Sequence, residues 1–246
     1  MSKTLILIPS RLSAKRLPGK PLLKINGLSI IYNVYRRAQE TKIGKVFVAT
    51  GDKKIFDDVT KNGGNCIMTN RNHKTGTDRI FEAYKNTKLK NIDYILNIQG
   101  DEPMIDKNEI VKLNKKIIKN KSEIGTLACK IKSQKQLKDK NIVKVKTKKK
   151  IYSSRLSEAD NFFRFQSKKN FNYIYHHIGI YLYKVETLKK FVKLKQTKNE
   201  KKFKLEQLRA LENNIKIDVL LSKTAPIGID TKAEYLKVKK ILERKN

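Results

Sequence analysis

Short, continuous apolar runs alternate with segments of helical spacing through the first half of the chain. The first run, residues 5–9, has no polar side chain, which is typical of a strand buried on both faces of a sheet. Further strand-like runs lie at residues 46–50, 66–69 and 94–100, and helical patterns lie at residues 30–38, 55–61 and 107–119 and around Ile80, Ala83 and Tyr84. This alternation predicts parallel β-α-β units and a doubly wound α/β sheet.

The second half has a different pattern. Strands are predicted at residues 126–132, 142–146, 173–183 and 216–221, and helices at residues 203–213 and 231–242. The patterns of residues 161–172 and 195–202 are weaker, and we expect mobile loops there. We therefore expect an α/β core over residues 1–125, a smaller mixed β subdomain over residues 126–214, and a return strand and helix over residues 215–246 that complete the core.

Charge and composition exclude several classes of protein. The 246 residues carry a formal net charge of +34, from 57 Lys and Arg against 23 Asp and Glu. A nucleic-acid-binding protein is disfavoured because lysine spreads over the whole chain and arginine, which makes bidentate contacts to phosphates and bases, is scarce. No apolar run approaches the roughly 20 residues of a membrane span. Neither Cys66 nor Cys129 has metal or redox spacing, so a reduced, cytoplasmic protein without membrane insertion is expected.

An acidic turn ends the fourth predicted strand. Gly100 allows a tight exit, Asp101 and Glu102 follow at once, and Pro103 blocks continuation of the strand. Ligands of open α/β sheets bind beyond the carboxyl ends of the strands. Mg²⁺ commonly takes one or two carboxylates together with substrate phosphates, so this turn is a candidate metal site. The alternative is an ordinary acidic turn.

A basic loop follows the first strand, where nucleotide-binding folds place their phosphate loop. It matches neither G-x-G-x-x-G nor G-x-x-x-x-G-K-[ST], which disfavours the dinucleotide-binding fold and the P-loop NTPases. Arg11, Arg16 and Lys20 can nevertheless neutralise a triphosphate by charge-assisted contacts. The alternative is a solvated basic loop in a lysine-rich protein.

Several motifs stand out along the chain: Pro9-Ser10-Arg11 with Arg16-Leu17-Pro18-Gly19-Lys20-Pro21, His73-Lys74-Thr75-Gly76-Thr77-Asp78-Arg79, Asn97-Ile98-Gln99-Gly100-Asp101-Glu102-Pro103, His177-Ile178-Gly179-Ile180-Tyr181, Leu205-Glu206-Gln207-Leu208-Arg209 and Gly228-Ile229-Asp230-Thr231. Together they resemble the motifs of the sugar nucleotidyltransferases, and in particular of the 3-deoxy-D-manno-octulosonate (Kdo) cytidylyltransferases. The resemblance spans residues 4–243. It implies a Rossmann-like three-layer nucleotidyltransferase fold with a mostly parallel central sheet and a smaller mixed β subdomain.

The resemblance also implies roles for particular residues. It implies catalytic roles for Arg11, Lys20, Asp101 and Asp230. It also implies that Asp101 and Asp230 bind the metal, Mg²⁺. The nucleotide would be bound by Arg11, Arg16, Lys20, Arg79 and Gln99, and the sugar acid by Gln99, Arg155, His177, Glu206 and Gln207. The residues themselves support the metal pair, because Asp230 ends an apolar, strand-like run (residues 225–229) just before a helix cap, as Asp101 ends its own strand. We nominate no general base.

Each residue of the sugar pocket has an alternative role. His177 lies in an aromatic strand, where a core histidine bonded to the backbone would be ordinary. Arg155 could instead form an interface salt bridge, since guanidinium pairs carboxylates readily at interfaces. Glu206 and Gln207 could simply be solvated polar residues of a helix. Residues 151–154, read as a strand before Arg155, depart from the family pattern, which leaves the exact sugar acid open.

The implied function is CTP-dependent activation of Kdo to CMP-Kdo, with release of pyrophosphate, for lipopolysaccharide biosynthesis. The alternatives are a cytidylyltransferase for another 2-keto-3-deoxy sugar acid, such as amino-Kdo or a sialic-acid relative, and a basic nucleic-acid-binding module. A panel of sugar acids tested with CTP distinguishes the first alternative from a Kdo enzyme. Salt-dependent oligonucleotide binding would identify the second alternative. The resemblance further implies a homodimer. The aromatic strand would supply its contact, because a monomer would struggle to cover the tyrosines.

Overall fold

The structure is a computed structural model, and it describes residues 3–13, 16–165 and 172–244. The chain forms two compact units. Residues 1–110 and 226–246 form the first, and residues 111–225 form the second.

Strands and helices alternate in the first unit. Its strands are β1 (Thr4–Ser10), β2 (Lys24–Ile25), β3 (Leu28–Ser29), β4 (Val46–Thr50), β5 (Cys66–Met68) and β6 (Tyr94–Asn97), and its helices are α1 (Ile30–Gln39), α2 (Lys53–Lys61), α3 (Gly76–Asn86) and the closing α9 (Lys232–Glu243). A 3-10 turn covers Lys20–Leu22. Helix α4 (Lys107–Asn120) crosses the division between the units.

Strands β5, β4, β1 and β6 of the first unit form a parallel sheet in that order, whereas β2 and β3 form a separate antiparallel pair. Leu5, Ile6 and Leu7 of the central strand β1 have no exposed surface, because helices cover both faces of such a sheet. The predicted β-α-β alternation is confirmed in this unit. In the register, Ser10 at the end of β1 pairs with Thr50 at the end of β4, and Leu7 pairs with Asn97 at the end of β6. The loops that follow these strands therefore leave the same edge.

Capping residues fix where the helices of this unit begin. The side chain of Ser29 accepts a hydrogen bond from the Tyr32 amide at the start of α1, and Thr75 accepts one from Asp78 at the start of α3. Thr231 forms the predicted capping box with Glu234 at the start of α9.

The second unit contains a mixed sheet. Its strands are β7 (Ile124–Lys130), β8 (Lys144–Thr147), β9 (Ser157–Phe163), β10 (Ile174–Lys184) and β11 (Ile217–Leu221), and its helices are α5 (Gln134–Lys138), α6 (Val185–Phe191), α7 (Lys198–Phe203) and α8 (Gln207–Glu212). The strand order is β10-β7-β11-β9-β8, and β10 also pairs with β8. β7 and β11 run parallel, whereas the other pairs are antiparallel.

Three element predictions for the second unit are wrong. Residues 151–154 are not a strand, and the strand of this region is β9, which begins after Arg155. The loop expected at residues 195–202 instead begins helix α7, because Thr197 and Glu200 form a capping box there. The helix expected over residues 203–213 is divided, because Lys204 adopts the left-handed conformation that ends α7 before α8 begins.

Two further expectations about irregular segments are corrected in part. β9 extends over Asn161, Phe162 and Phe163, inside the loop expected over residues 161–172, and residues 166–171 of that loop lie outside the described residues. The run of residues 225–229 is not a strand, because Pro226 lacks an amide donor; instead the Ile229 amide donates to the Asp101 carbonyl at 3.0 Å.

The aromatic strand β10 buries Tyr175 and Tyr183, whereas Tyr173, just before it, is 44% exposed. Tyr175 and Tyr183 are only 8% and 4% exposed within the chain, so the argument that a monomer could not cover them is wrong. Tyr181 and Tyr183 stack on each other at 5.8 Å between ring centroids, and Tyr183 also contacts Phe191 of α6. The strand belongs to the core of its own unit.

The division between the units falls at residues 110/111 and 225/226, whereas the sequence placed boundaries at 125/126 and 214/215. The packing of α4 explains part of this difference. The Ile117 side chain lies so close over Gly125 of β7 that a Cβ at that glycine would be 2.3 Å from it. The second half of α4 therefore packs with the second unit.

Within the described residues, no helix combines the length and the apolar character needed to cross a bilayer.

Candidate active site

The loops that leave β1 and β6 open onto one crevice of the first unit, with a volume of about 840 Å³. The residues predicted from sequence that line it are Arg11, Arg16, Lys20, Arg79, Gln99, Asp101 and Asp230. All the candidate residues of this unit therefore come together, as expected for a ligand site beyond the carboxyl ends of parallel strands.

One ammonium group joins the two candidate metal carboxylates. Lys20 Nζ lies 2.6 Å from Asp101 Oδ2 and 3.0 Å from Asp230 Oδ1. Only 12% of the Lys20 side chain is exposed, so solvent screens these pairs less than ordinary surface pairs. Burial lowers the pKa of Lys20, but the charges and hydrogen bonds of Asp101 and Asp230 outweigh it and leave the pKa raised above its usual 10.5. The ammonium stays protonated.

Asp230 has a second cationic partner. Arg16 Nη2 lies 2.7 Å from Asp230 Oδ2, but 62% of the Arg16 side chain is exposed. An exposed ion pair of this kind contributes about 0–1 kcal/mol to stability. Arg16 is therefore free to exchange Asp230 for an anionic ligand at small cost.

The backbone around Lys20 holds its side chain inward. Gly19 adopts the left-handed conformation, with φ at +66°, immediately before the 3-10 turn. Pro21 is buried beneath the turn, and the Lys20 amide donates to the Leu17 carbonyl at 3.1 Å. These contacts hold the backbone of Lys20 in place within an otherwise exposed basic loop.

The two acidic segments are joined through the backbone. The Ile229 amide donates to the Asp101 carbonyl, and one carboxylate oxygen of Glu234 accepts from the Asp230 and Thr231 amides at 2.9 and 2.8 Å. Gly100 is needed before Asp101, because a Cβ there would lie 3.0 Å from the Pro9 carbonyl oxygen. This arrangement directs the Asp101 and Asp230 carboxylates to one point.

A pair of convergent carboxylates suits a divalent cation. Both already hold one cationic group, the Lys20 ammonium, at hydrogen-bonding distance. The described residues contain no group of three or more His, Cys, Asp or Glu able to hold a metal ion. An ion at Asp101 and Asp230 would therefore take its other ligands from substrate oxygens and water, as Mg²⁺ usually does.

Glu102 is a third acidic residue beside this pair. Part of the residue is exposed, but its Oε2 is buried and has no hydrogen-bond partner among the described residues. Burial, followed by the charges of Asp101 and Asp230, raises the pKa of Glu102 to about 8. At neutral pH this carboxyl is largely protonated, so it adds little negative charge to the site.

Arg79 supports the wall of the crevice. It is 4% exposed, and its guanidinium donates to Thr69 Oγ1 at 2.6 Å and to the carbonyls of Asn70 and Arg71. Burial lowers the pKa of Arg79, while the charge of Asp52 opposes that shift. Its role as a nucleotide ligand stays a prediction.

His177 is buried in the second unit. Its Nε2 lies 3.0 Å from Thr126 Oγ1, and its ring packs edge-on against Phe162 at 5.2 Å. Burial, together with the charge of the neighbouring His176, lowers the pKa of His177 to about 3. The imidazole is therefore neutral at physiological pH, as a core histidine would be, and its sugar-binding role stays a prediction.

The other predicted sugar ligands of the second unit differ in exposure. Arg155 is exposed in the loop before β9, and its carbonyl accepts from the Tyr152 amide at 3.3 Å. Glu206 and Gln207 begin α8 and line a small cavity together with Tyr181. Gln99 lies in the first unit, and the common sugar pocket remains a prediction.

Two acidic residues that support the loops of the site were not predicted from the sequence. Asp52 Oδ2 accepts a hydrogen bond from the Leu12 amide at 2.9 Å. Glu82 accepts from the Asn70 amide and pairs with His73, which lines the crevice. Asp52 carried one usable signal, since it lies two residues after a predicted strand, whereas Glu82 lies within a helix and carried none.

An α/β sheet with a basic crevice beyond its strand ends, and two carboxylates that converge there, is typical of nucleotidyltransferase-like folds. UTP-bound UGPase from Acinetobacter baumannii shares this fold, with a TM-score of 0.75 at 11% identity over 100% of this chain and 95% of that one.

Closer relatives identify the family. The cytidylyltransferase family model matches residues 5–217. The 3-deoxy-manno-octulosonate cytidylyltransferase of Bartonella henselae is 41% identical over 97% of this chain and 98% of its own length, and that of Nitrobacter winogradskyi is 39% identical over 98% and 94%. The structure of CMP:2-keto-3-deoxy-manno-octonic acid synthetase complexed with CTP matches with a TM-score of 0.90 and 31% identity over 100% of both chains.

The chain belongs to the cytidylyltransferase family, among the 3-deoxy-manno-octulosonate cytidylyltransferases. The resemblance stated from the sequence motifs and the predicted Rossmann-like fold are thereby confirmed.

Proposed function

We propose that this enzyme transfers the cytidylyl group of CTP to Kdo, which gives CMP-Kdo and pyrophosphate. One observation carries the proposal. Lys20 from the basic loop and the carboxylates Asp101 and Asp230 meet within one crevice at the strand ends. A triphosphate is bound by cationic side chains, and a divalent ion that accompanies it would be held by carboxylates, so this combination of charges suits both. Family membership supplies the nucleotide and the sugar acid.

The proposed reaction is an in-line displacement at the α-phosphorus of CTP. The anomeric C2 hydroxyl oxygen of Kdo forms the new P–O bond while the bond between the α-phosphorus and the bridging oxygen of pyrophosphate breaks. The pyrophosphate leaves with that electron pair, and the hydroxyl proton passes to solvent. Such transfers depend on positioning and charge stabilisation more than on covalent chemistry by the protein.

The basic loop would bind the triphosphate. Arg11 is exposed at the crevice, and Arg16 can release its exposed contact with Asp230. Lys20 reaches into the crevice from a fixed turn, so its ammonium can stabilise charge that develops on the leaving pyrophosphate. Arg79 and Gln99 would complete the nucleotide site from the opposite wall.

Asp101 and Asp230 are the residues that would hold Mg²⁺. When bound, the ion would polarise the phosphate and lower the pKa of the attacking hydroxyl, as metals do for bound water. The role of the protein is to present two convergent carboxylates on backbone segments fixed by the Ile229–Asp101 and Glu234–Asp230 hydrogen bonds.

The sugar acid would be held by Gln99, Arg155, His177, Glu206 and Gln207. Arg155 is the cation suited to the sugar carboxylate, because guanidinium forms bidentate pairs with carboxylates. His177 would act as a neutral hydrogen-bonding group, since its depressed pKa, about 3, rules out a permanent positive charge. Glu206 lies 3.3 Å from the Arg209 guanidinium, which orients it at the start of α8.

The cell context follows from the substrates. CMP-Kdo would supply lipopolysaccharide biosynthesis, and the supply of CTP places the enzyme in the cytoplasm.

A homodimer is also proposed, with exposed aromatic residues of the second unit as its support: Tyr152, Phe165 and Tyr173 are 47%, 54% and 44% exposed. Because a net charge of +34 opposes self-association, the dimer should strengthen with salt. Sedimentation that shows a monomer at every ionic strength would refute it.

The substrate assignment is tested by pyrophosphate release with Mg²⁺ over two panels. CTP with Kdo should turn over, whereas UTP or ATP with Kdo should not. With CTP fixed, amino-Kdo or a sialic acid used faster than Kdo would replace the proposed sugar. Tight, steeply salt-dependent oligonucleotide binding without CTP turnover would instead favour the nucleic-acid alternative.

A further inference from the structure

Asp52 connects two loops of the first unit. It follows β4 and Gly51, and its Oδ2 accepts a hydrogen bond from the amide of Leu12, 40 residues earlier. Leu12 lies between Arg11 and Arg16 in the basic loop that lines the crevice. The carboxylate therefore holds the backbone of the loop that would bind the triphosphate.

The position of Asp52 makes this contact unusual. Asp52 stands at the N-cap of α2, where an aspartate normally accepts from an amide of the first helical turn. The serine and threonine N-caps of this chain do so, at Ser29, Thr75, Ser133, Thr197 and Thr231. The Asp52 side chain makes no such bond. Its carboxylate accepts a hydrogen bond from the Leu12 amide instead of from an amide of α2.

The backbone around Asp52 is fixed from the other side. The Arg71 side chain donates to the Gly51 carbonyl at 2.9 Å, and a Cβ on Gly51 would lie 2.8 Å from the Arg71 Cα. The Asp52 amide donates to Thr50 Oγ1 at 3.1 Å. Arg79 in turn holds the Asn70 and Arg71 carbonyls. A continuous set of contacts thus runs from helix α3 to the basic loop, and Asp52 is its last member.

We propose that Asp52 is a positioning residue for CTP, which acts through the Leu12 amide and has no contact with the nucleotide itself. The inference rests on the proposed function of the crevice. Because the amide of Leu12 is held, the neighbouring Arg11 is presented to the triphosphate without an ordering cost at the moment of binding.

The test measures CTP affinity by calorimetry without sugar, and steady-state kinetics with both substrates. Asp52→Ala should weaken CTP binding about tenfold, because the loop that carries Arg11 must then be ordered when CTP binds. The KM for Kdo and the melting temperature should stay close to wild type, because Asp52 does not cap α2. Asp52→Asn keeps an acceptor oxygen and should restore most of the affinity. Asp106→Ala is the contrasting control: Asp106 accepts from the Asn108 amide in the first turn of α4, so its loss should lower the melting temperature and leave CTP binding unchanged.

Two results would overturn the proposal. One is CTP binding by Asp52→Ala equal to wild type. The other is a parallel loss of stability and of affinity for both substrates, not rescued by Asp52→Asn, which would mark a purely structural residue. If the alanine variant does not fold, Asp52→Glu serves instead, because its longer side chain displaces the carboxylate from Leu12 and should also weaken CTP selectively. Wild-type enzyme that binds CTP but does not use Kdo would refute the proposed reaction alone.

Discussion

Lys20 and Asp101 form an ion pair of 2.6 Å between Nζ and Oδ2. The same ammonium reaches Asp230, so a basic loop and two acidic segments from distant parts of the sequence converge on one charged group. Lys20 is thereby placed both to hold the carboxylates together and to bind an incoming triphosphate.

Replacement of Lys20 should affect CTP more than the sugar. Lys20→Ala removes a crevice cation that would contact the triphosphate, so we expect kcat/KM for CTP to fall by about a hundredfold or more, with a much smaller change in the KM for Kdo. Steady-state kinetics with each substrate varied in turn measure this. Lys24→Ala, on an exposed lysine of β2, should behave as wild type. Equal loss for both substrates would indicate a folding defect.

The ammonium of Lys20 should compete with a divalent cation when no nucleotide is bound. Lys20→Met keeps the length of the side chain but removes its charge from between Asp101 and Asp230. We therefore expect Mn²⁺, used as a spectroscopic substitute for Mg²⁺, to bind the variant roughly three- to tenfold more tightly than wild type. Electron paramagnetic resonance of free Mn²⁺ gives the affinity. Unchanged or weaker binding by the variant would show that the metal does not use this pair.

Loss of either acidic residue should stop turnover without unfolding the protein. Asp101→Asn and Asp230→Asn each remove one charge from the pair, and we expect activity to fall at least about a hundredfold. Chelation with EDTA should abolish wild-type activity, and added Mg²⁺ should restore it. Asp106→Asn is a control outside the crevice. Melting curves close to wild type are required for the interpretation. Full activity in either crevice variant would remove that residue from the metal site.

The buried His177 should make stability depend on pH. Its pKa is about 3 in the folded protein, against 6.5 when unperturbed, so the unfolded chain binds more protons below pH 6.5. The contribution of His177 is therefore complete above pH 6.5 and is lost as the pH falls toward 3. Between about pH 7.5 and about pH 5, wild type should lose about 2 kcal/mol more of its free energy of unfolding than His177→Gln.

Urea unfolding at the two pH values gives this difference. Other groups contribute to the pH dependence of both proteins, so only the difference between them is interpreted. His176→Gln is a useful comparison. Burial and the charge of Lys144 also lower the pKa of His176, but His176 is only half-buried. Identical pH dependence in wild type and His177→Gln would mean that the imidazole is not buried as described.

The first unit could be predicted well because its signals are local. A continuous apolar run identifies β1, and a capping threonine identifies the start of α9. The second unit was harder, since polar residues dominate its α7–α8 corner and the end of α7 depends on the left-handed conformation of Lys204. Residues 225–229 looked like a strand from their apolar character, but Pro226 cannot donate to a sheet.

The candidate site shows the same limit. Motifs identified Lys20, Asp101 and Asp230 one at a time, but the contact of Lys20 with Asp230 joins residues 210 positions apart. No local sequence pattern indicates that two residues so far apart in the sequence are in contact. The burial of Tyr175 and Tyr183, which were expected to be exposed, likewise depends on which helices pack over β10.

The crevice built on Lys20, Asp101 and Asp230 should join CTP to Kdo. Phosphorus NMR of the purified enzyme with CTP, Kdo and Mg²⁺ follows both products in one experiment. The CTP signals should be replaced by pyrophosphate and a CMP diester in equal amounts, and neither product should form when Kdo is omitted or when Asp230→Asn replaces wild type. Intact CTP in the complete mixture, or pyrophosphate released at the same rate without the sugar, would contradict this prediction.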